Sequence, residues 1–342
     1  MPDGTPVHRI VLDGRIRVAI LTYGAAIQSI EVPDREGRIT DVALGLNTLA
    51  EYTAHSQHFG AVPGRYTGRI GNACFNLDGT TYHLPANDGR NTRHGGPVGF
   101  GKRPWRLVAH SPTHVDLALT SPDGDSGFPG TLEVKLRYSI GGSTLDIAIE
   151  ATTDRPTVLN LTNHTYFNLN GEGSGTIDEH ELTVHGHRYA PIGPDAMPTG
   201  ALDLVAGTPL DFTTSRTIGS RLRDGHPQLL YARGYDHTYL LDGTGLRLAA
   251  RLYSRASGRT LDVLTTQPAL QLYTGNALTG AFAGRSGRSY RAGDAVCLEA
   301  QHLPDSPNHP HFPSTVLRPG GAFHATIQFR FGLLDTPAPA GT

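Results

Sequence analysis

The chain has 342 residues, 38% of them hydrophobic, and a formal net charge of -2. That length buries a large core, as one big all-β unit or two ordinary domains. The near-balance of charge gives no electrostatic reason to expect nucleic acid or an anionic membrane as partner. Two distant cysteines, Cys74 and Cys297, exclude a disulfide framework and a thiolate metal cage.

The opening stretch, MPDGTPVHRIVLDGRIRV, lacks the basic and continuous apolar regions of a secretory signal. No apolar run approaches the ~20 residues that cross a bilayer, so a cytoplasmic protein is expected. Further on, LNTLAEYTAH (46–55) reads as a short helix. FNLDGTTYHL (75–84) reads as a hairpin turning at Asp78-Gly79. GPVGFGKR (96–103) imitates a phosphate-binding loop. Arg103 and Pro104 break the pattern where a metal-binding hydroxyl would stand, and no βαβ context surrounds it. GDSG (124–127) sits in a Pro/Gly-rich turn and reads as a loop rather than as a protease nucleophile.

TLEVKLRYSI (131–140) alternates Leu132, Val134, Leu136, Tyr138 and Ile140 against polar residues. After Gly141-Gly142, TLDIAIEATT alternates again, which predicts a half-buried hairpin. LNLTNHTYFNLNG (159–171) differs: four Asn, two Thr and a Tyr gather around His164, more hydrogen-bonding side chains than a core strand needs. The pairs His185/His187 and His309/His311 could each face one way on a strand. With 17 histidines and no third ligand at a telling spacing, no metal site is expected. TTSRTIGSRL (213–222) reads as a second short helix, GLRLAARLYS and RTLDVLTTQ as a hairpin around Ser257-Gly258, and AFHATIQFRF (322–331) as a strand. The whole predicts one large antiparallel β-sandwich over residues 1–333 with few short helices, and a disordered tail over 334–342.

Asp236, Gln271 and Glu299 each stand beside apolar neighbours at a strand end, an expensive place for an unpaired charge. Alternation puts Cys297, Glu299 and Gln301 on one face. Each residue also has a bland reading: a turn for His94, a satisfied core histidine for His164, a surface ion pair for Arg69, a loop cap for Asp236. Together the stretches say more. Arg69, His94-Gly-Gly, Asn163-His164-Thr-Tyr-Phe-Asn, Tyr235-Asp236-His, Gln271-x-Tyr-Thr-Gly-Asn, Cys297-Leu-Glu-x-Gln-His and PDSPNHPHFPST follow in order between Leu21 and Arg330. In that order they resemble the aldose 1-epimerase (galactose mutarotase) family.

The resemblance implies a galactose mutarotase-like supersandwich with a sugar cleft. It implies interconversion of the α and β anomers of free aldohexoses such as glucose and galactose, with no cofactor. It casts Glu299 as general base and His164 as general acid, and Arg69, His94, Tyr166, Asp236 and Gln271 as substrate-binding residues. The expected partner is a small monosaccharide, with neither nucleic acid nor membrane, for a monomer or homodimer. One departure stands out: Gly68 precedes Arg69 where the family usually has Asn. With ordinary pKa values of ~4.3 and ~6.5, Glu299 would be ionised and His164 partly protonated near neutrality. Thr162, Asn163, Thr165 and Asn168 would hold the His164 tautomer or the backbone around it. Two other readings compete. A hexose 6-phosphate epimerase would need clustered arginines, for which Arg65, Arg69, Arg90 and Arg93 are candidates. A non-catalytic carbohydrate-binding β-sandwich would have no need of the His164–Glu299 pair.

Overall fold

The computed structural model describes residues 1, 4–55 and 57–334. Two antiparallel sheets face each other. The larger has nine strands and is centred on Phe323–Leu333, which lies between Arg259–Thr265 and Thr144–Thr153. The smaller has six strands, among them Tyr166–Phe167, Val296–Gln301, Ala269–Tyr273 and Asp236–Leu240 in that spatial order. Period-two alternation builds the core between them. Ile147, Ile149, Ile327 and Phe329 from the large sheet join Leu270, Leu272, Val296 and Leu298 from the small one in a single buried cluster. A four-stranded sheet over Arg9–Asp41 packs its Ile20, Ile27 and Ile30 into the same cluster.

The predicted hairpins form. Leu132–Gly141 pairs with Thr144–Thr153 in unbroken register, the turn falling on Gly142-Ser143, one residue beyond the expected Gly-Gly. Asp78 and Gly79 both take positive φ (51° and 82°) between Cys74–Leu77 and Thr80–His83, the geometry that fits the right-handed strand twist. Among the described residues the helices are few and short. Leu49–Ala54 starts at a Thr48/Glu51 capping box, as its sequence suggests. The second expected helix does not form: residues 213–222 hold a two-residue strand, Arg216–Thr217, and a single 3₁₀ turn, Ile218–Ser220. Gly219 there packs so closely on Asp178 that an added Cβ would lie 2.7 Å from the Asp178 Cβ. The second helix is instead Pro227–Ala232, opened by Pro at its first position.

The expected tail falls on 335–342, outside the described residues, except Leu334, whose amide donates to the Gly258 carbonyl at 2.9 Å. No helix among the described residues is long and apolar enough to cross a membrane.

Candidate active site

The face of the six-stranded sheet turned away from the core carries the polar residues in two rows, set by register. Thr238, Gln271 and Glu299 are neighbours across three strands. One row along, Asp236, Tyr273, Cys297 and Tyr166 follow in the same way. Asp236 and Thr238, Gln271 and Tyr273, and Cys297 and Glu299 are two residues apart on their strands, the spacing that returns a side chain to one face. The row is wired by hydrogen bonds: Gln271 Nε2 donates to Asp236 Oδ1 at 2.5 Å, and Thr238 Oγ1 donates to Gln271 Oε1. The Gln271 amide is thereby fixed.

Loops from the other side of the chain close over this face. Arg69 and Arg93 sit directly opposite each other in a short ladder between Arg69–Ile70 and Thr92–Arg93. Arg69 Nε donates to Asp88 Oδ2 at 2.7 Å, and its Nη1 lies 3.9 Å from Asp236 Oδ2. Burial works against the Arg69 charge, but Asp236 and Asp88 outweigh it and leave its pKa raised. His94 follows at φ 53°, with Gly95 at 79° and Gly96 at 92°. Gly95 is required where it stands, since a Cβ there would lie 1.8 Å from the Gly64 carbonyl oxygen. The Gly68 amide donates to His94 Nδ1 at 3.3 Å, which leaves His94 Nε2–H free to donate into the cleft. Gly68 itself has φ 80°, and a Cβ there would be 3.2 Å from the Pro304 ring, so an Asn here would need the left-handed conformation it tolerates better than most.

His164 is pinned by its backbone: its amide donates to Ala61 O and its carbonyl accepts from Gly60 N, both at 2.9 Å. The amides and hydroxyls around it serve the loops rather than the ring. Asn163 Nδ2 donates to Gly60 O at 2.8 Å, Thr165 Oγ1 to Asn163 Oδ1 at 2.6 Å, and Asn168 Nδ2 to Gly175 O at 2.8 Å and Asp294 O at 3.0 Å. Thr162 Oγ1 is buried without a hydrogen-bond partner among the described residues. Among the described residues none of the four hydrogen-bonds the imidazole. The group facing His164 Nδ1 is the Cys297 thiol, 3.6 Å away, which sequence reasoning did not assign to it. The other nitrogen, Nε2, lies 3.6 Å from Glu299 Oε1, and the ring stacks on Tyr166 at 5.0 Å between centroids. The Tyr166 hydroxyl is taken, donating to Gln57 O at 2.9 Å, so Tyr166 offers the site its ring.

Burial sets the protonation of the pair. It pushes the Glu299 carboxyl well above the usual range, with Asp236 adding to the rise and Arg93 opposing it. It pulls His164 down to about 3, its own backbone hydrogen bond opposing and the Arg93 charge adding to the fall. Burial thus works toward a protonated Glu299 and a neutral His164, against the ionised pair expected from ordinary pKa values. His94 is held well below the usual histidine value by burial, with His58 and Arg93 next in effect.

All seven residues nominated from the sequence line one cleft of about 290 Å³: Arg69, His94, His164, Tyr166, Asp236, Gln271 and Glu299. Of the four arginines named as candidates for a phosphate, only Arg69 and Arg93 reach the cleft. Arg65 is turned inward and donates to the carbonyls of Ser121, Pro129 and Gly130, while Arg90 is exposed and pairs with Asp195 at 3.3 Å. Tyr273, Gln301 and His58 also line the cleft without having been nominated for it. Tyr273 stands two residues beyond Gln271, so the alternation that set Gln301 on the face of Glu299 could have found it too. His58 could not have been found that way. A loop at φ 59° brings its ring within 4.8 Å of His94 and 6.2 Å of His164. Among the described residues, ligand atoms of His164, Cys297 and Glu299 also come within 4.8 Å of one another, near enough to share a soft cation. Burial pushes the Cys297 thiol up, with Glu299 and Asp236 adding, which keeps it from the thiolate form that binds metal.

Residues 8–330 match the family model described as aldose 1-epimerase. Over 93% of this chain and 92% of the human protein the chain is 40% identical to galactose mutarotase of Homo sapiens. It is 37% identical to the aldose 1-epimerase of Escherichia coli K12 over 96% of each. Among solved structures, a GalM/aldose epimerase homologue from C. elegans superposes with a TM-score of 0.90 at 29% identity, covering 96% of this chain and all of the other. A galactose 1-epimerase from Lactobacillus acidophilus superposes at 0.84, also at 29% identity, over 97% of this chain and 96% of its own. On these matches, and with its polar rows folded into one cleft, the chain belongs to the aldose 1-epimerase family.

Proposed function

We propose that this aldose 1-epimerase interconverts the α and β anomers of a free aldohexose, glucose or galactose, with Glu299 as general base and His164 as general acid. The observation that carries the reading is the 3.6 Å approach of His164 Nε2 to Glu299 Oε1. The anomeric carbon bears two oxygens, the C1 hydroxyl and the ring oxygen, and two proton-transfer groups this close can each take one of them. Glu299 removes the proton of the C1 hydroxyl while His164 gives one to the ring oxygen. The C1–O5 bond breaks and leaves a free aldehyde and a C5 hydroxyl. Rotation about C1–C2 presents the other face, and the same transfers in reverse close the ring.

The pair needs one proton in total, and the uncharged pair favoured by burial already holds it. Productive opening places that proton on His164 and leaves Glu299 a carboxylate. Arg93 favours that carboxylate, since its charge lowers the Glu299 pKa. In this reading Arg69, His94 Nε2–H, Asp236 and the Gln271 amide hold ring hydroxyls, and the Tyr166 ring, stacked at 5.0 Å, supports His164 from one side. The unpaired Cys74 and Cys297 suit a reducing, cytoplasmic setting.

Polarimetry of freshly dissolved α-D-glucose and α-D-galactose tests the proposal. Wild type should speed the decay of rotation over buffer, and Glu299→Gln and His164→Ala should each lower the enzymatic rate by roughly 10²–10⁴-fold. Variants that keep the wild-type rate would remove both residues from the mechanism. A wild type no faster than buffer on either sugar would move the protein to the binding-module reading.

A further inference from the structure

Arg93 is out of keeping with a site built for neutral hydroxyls alone. It stands directly across the ladder from Arg69, an arrangement in which like charges oppose each other. Arg69 is compensated by Asp88 at 2.7 Å and Asp236 at 3.9 Å. Arg93 is half-buried and lines the cleft, and among the described residues its guanidinium makes no close ion pair and no hydrogen bond, its charge reaching Glu299 only from a distance. Arg233, also lining the cleft, has no carboxylate partner there either. A partly desolvated guanidinium left open in this way is a vacant seat for an anion.

Position and charge narrow the anion. Arg93 immediately precedes His94, whose ring lies 5.5 Å from that of His164. If His164 meets the ring oxygen, its neighbours meet what hangs beside that oxygen, because C5 carries both O5 and C6. Arg69 and Arg93 are the two of the four candidate arginines that reach the cleft, and Arg69 is already neutralised. The planar fork of Arg93 matches a carboxylate with two parallel N–H···O bonds, and its one charge balances the carboxylate's one, where a phosphate dianion would call on a second cation as well.

Resting on the epimerase reading above, we infer that the cleft also epimerises aldoses oxidised at C6, the hexuronic acids, with Arg93 binding the C6 carboxylate. The chemistry at C1 is unchanged, and the carboxylate takes no part in it. The His58 and His94 rings, 4.8 Å apart, both lie within reach of the Arg93 charge.

Polarimetry with D-galacturonic acid, D-galactose and D-glucose 6-phosphate decides the matter, each rate corrected for its own buffer-catalysed decay. Wild type should accelerate galacturonic acid. Arg93→Leu should lower the ratio of kcat/KM for galacturonic acid to that for galactose by roughly tenfold to hundredfold, mainly through KM, the loss expected for a charge-assisted hydrogen-bond pair. Arg93→Lys should give an intermediate ratio, which a merely misfolded variant could not. A ratio unmoved by Arg93→Leu overturns the inference. So does acceleration of glucose 6-phosphate without acceleration of galacturonic acid, which would reassign the seat to phosphate. A wild type that acts on galactose but not on galacturonic acid sinks this inference alone, whereas inactivity on all three sinks the epimerase reading beneath it.

Discussion

Glu299 and His164 are displaced from their ordinary pKa values in opposite directions, and the displacement widens the pH range over which they work. Two interacting groups that need one proton between them titrate as a unit, losing activity when a second proton binds or when the single one leaves. With ordinary values that window would run from roughly pH 4.3 to 6.5. Burial lowers its acid edge, since His164 falls to about 3, and raises its basic edge, since Glu299 moves up. The expected kcat/KM profile is therefore flat through pH 6.5 and declines only where Glu299 finally gives up its proton. A decline centred near 6.5, followed by polarimetry across buffers of equal ionic strength, would mean that His164 titrates as though exposed and that burial does not govern the pair.

At the scale of elements, the cleft depends on a sheet that offers its rows and on loops whose backbones fit against them. Gly95 makes that fit testable. It has φ 79°, and an added Cβ would fall 1.8 Å from the Gly64 carbonyl oxygen, whereas Gly79, at φ 82° in an exposed hairpin, has nothing within 4 Å. Gly79→Ala should cost about 1–2 kcal/mol, the price of the left-handed conformation alone. Gly95→Ala should cost clearly more, about 2–4 kcal/mol, and should raise KM as His94 shifts. Thermal melts of the two variants check the difference, and equal losses would mean that the loop at 94–96 moves aside without cost. The same contrast explains what was legible in the sequence. Strand alternation and turn chemistry are local, so the 132–153 hairpin, the Asp78-Gly79 turn and the shared face of Cys297, Glu299 and Gln301 could be read directly. The motif order located all seven nominated cleft residues. What could not be read was set by contact between distant segments: His58 beside His94, Cys297 rather than an Asn facing the His164 ring, and Asp178 crowding Gly219 where a helix was expected. The protonation of the central pair was unreadable for the same reason, because burial belongs to the fold and not to the strand.

Across the whole molecule, buried histidines tie stability to pH. His58, His94, His164, His180, His237 and His302 all have pKa values lowered first by burial, His180 to about 4 and His164 and His237 to about 3. Several accept a backbone N–H on the nitrogen a proton would need: Leu169 N donates to His180 Nε2 at 2.9 Å, and Asp236 N to His237 Nδ1 at 3.1 Å. The folded chain thus binds fewer of these protons than the unfolded chain, whose histidines titrate near ~6.5. When the unfolded state binds more protons, stability rises with pH. The histidine contribution is complete above about pH 6.5 and is lost as pH falls toward the folded values, by up to about 1.4 kcal/mol per pH unit for each group. Asp41, raised to about 7 by burial against the opposing charge of Arg285, and Glu299 act in the other sense, weakening the fold as pH rises through their folded values. The histidines outnumber them, so urea unfolding at about pH 7, 6 and 5 should show stability falling steeply toward acid, with a slope of several protons. His180→Gln keeps an acceptor for the Leu169 amide and cannot be protonated, so it should reduce that slope by about one proton whatever it does to stability at pH 7. A wild-type stability unchanged between pH 7 and 5 would mean that these histidines take up protons without unfolding the sandwich.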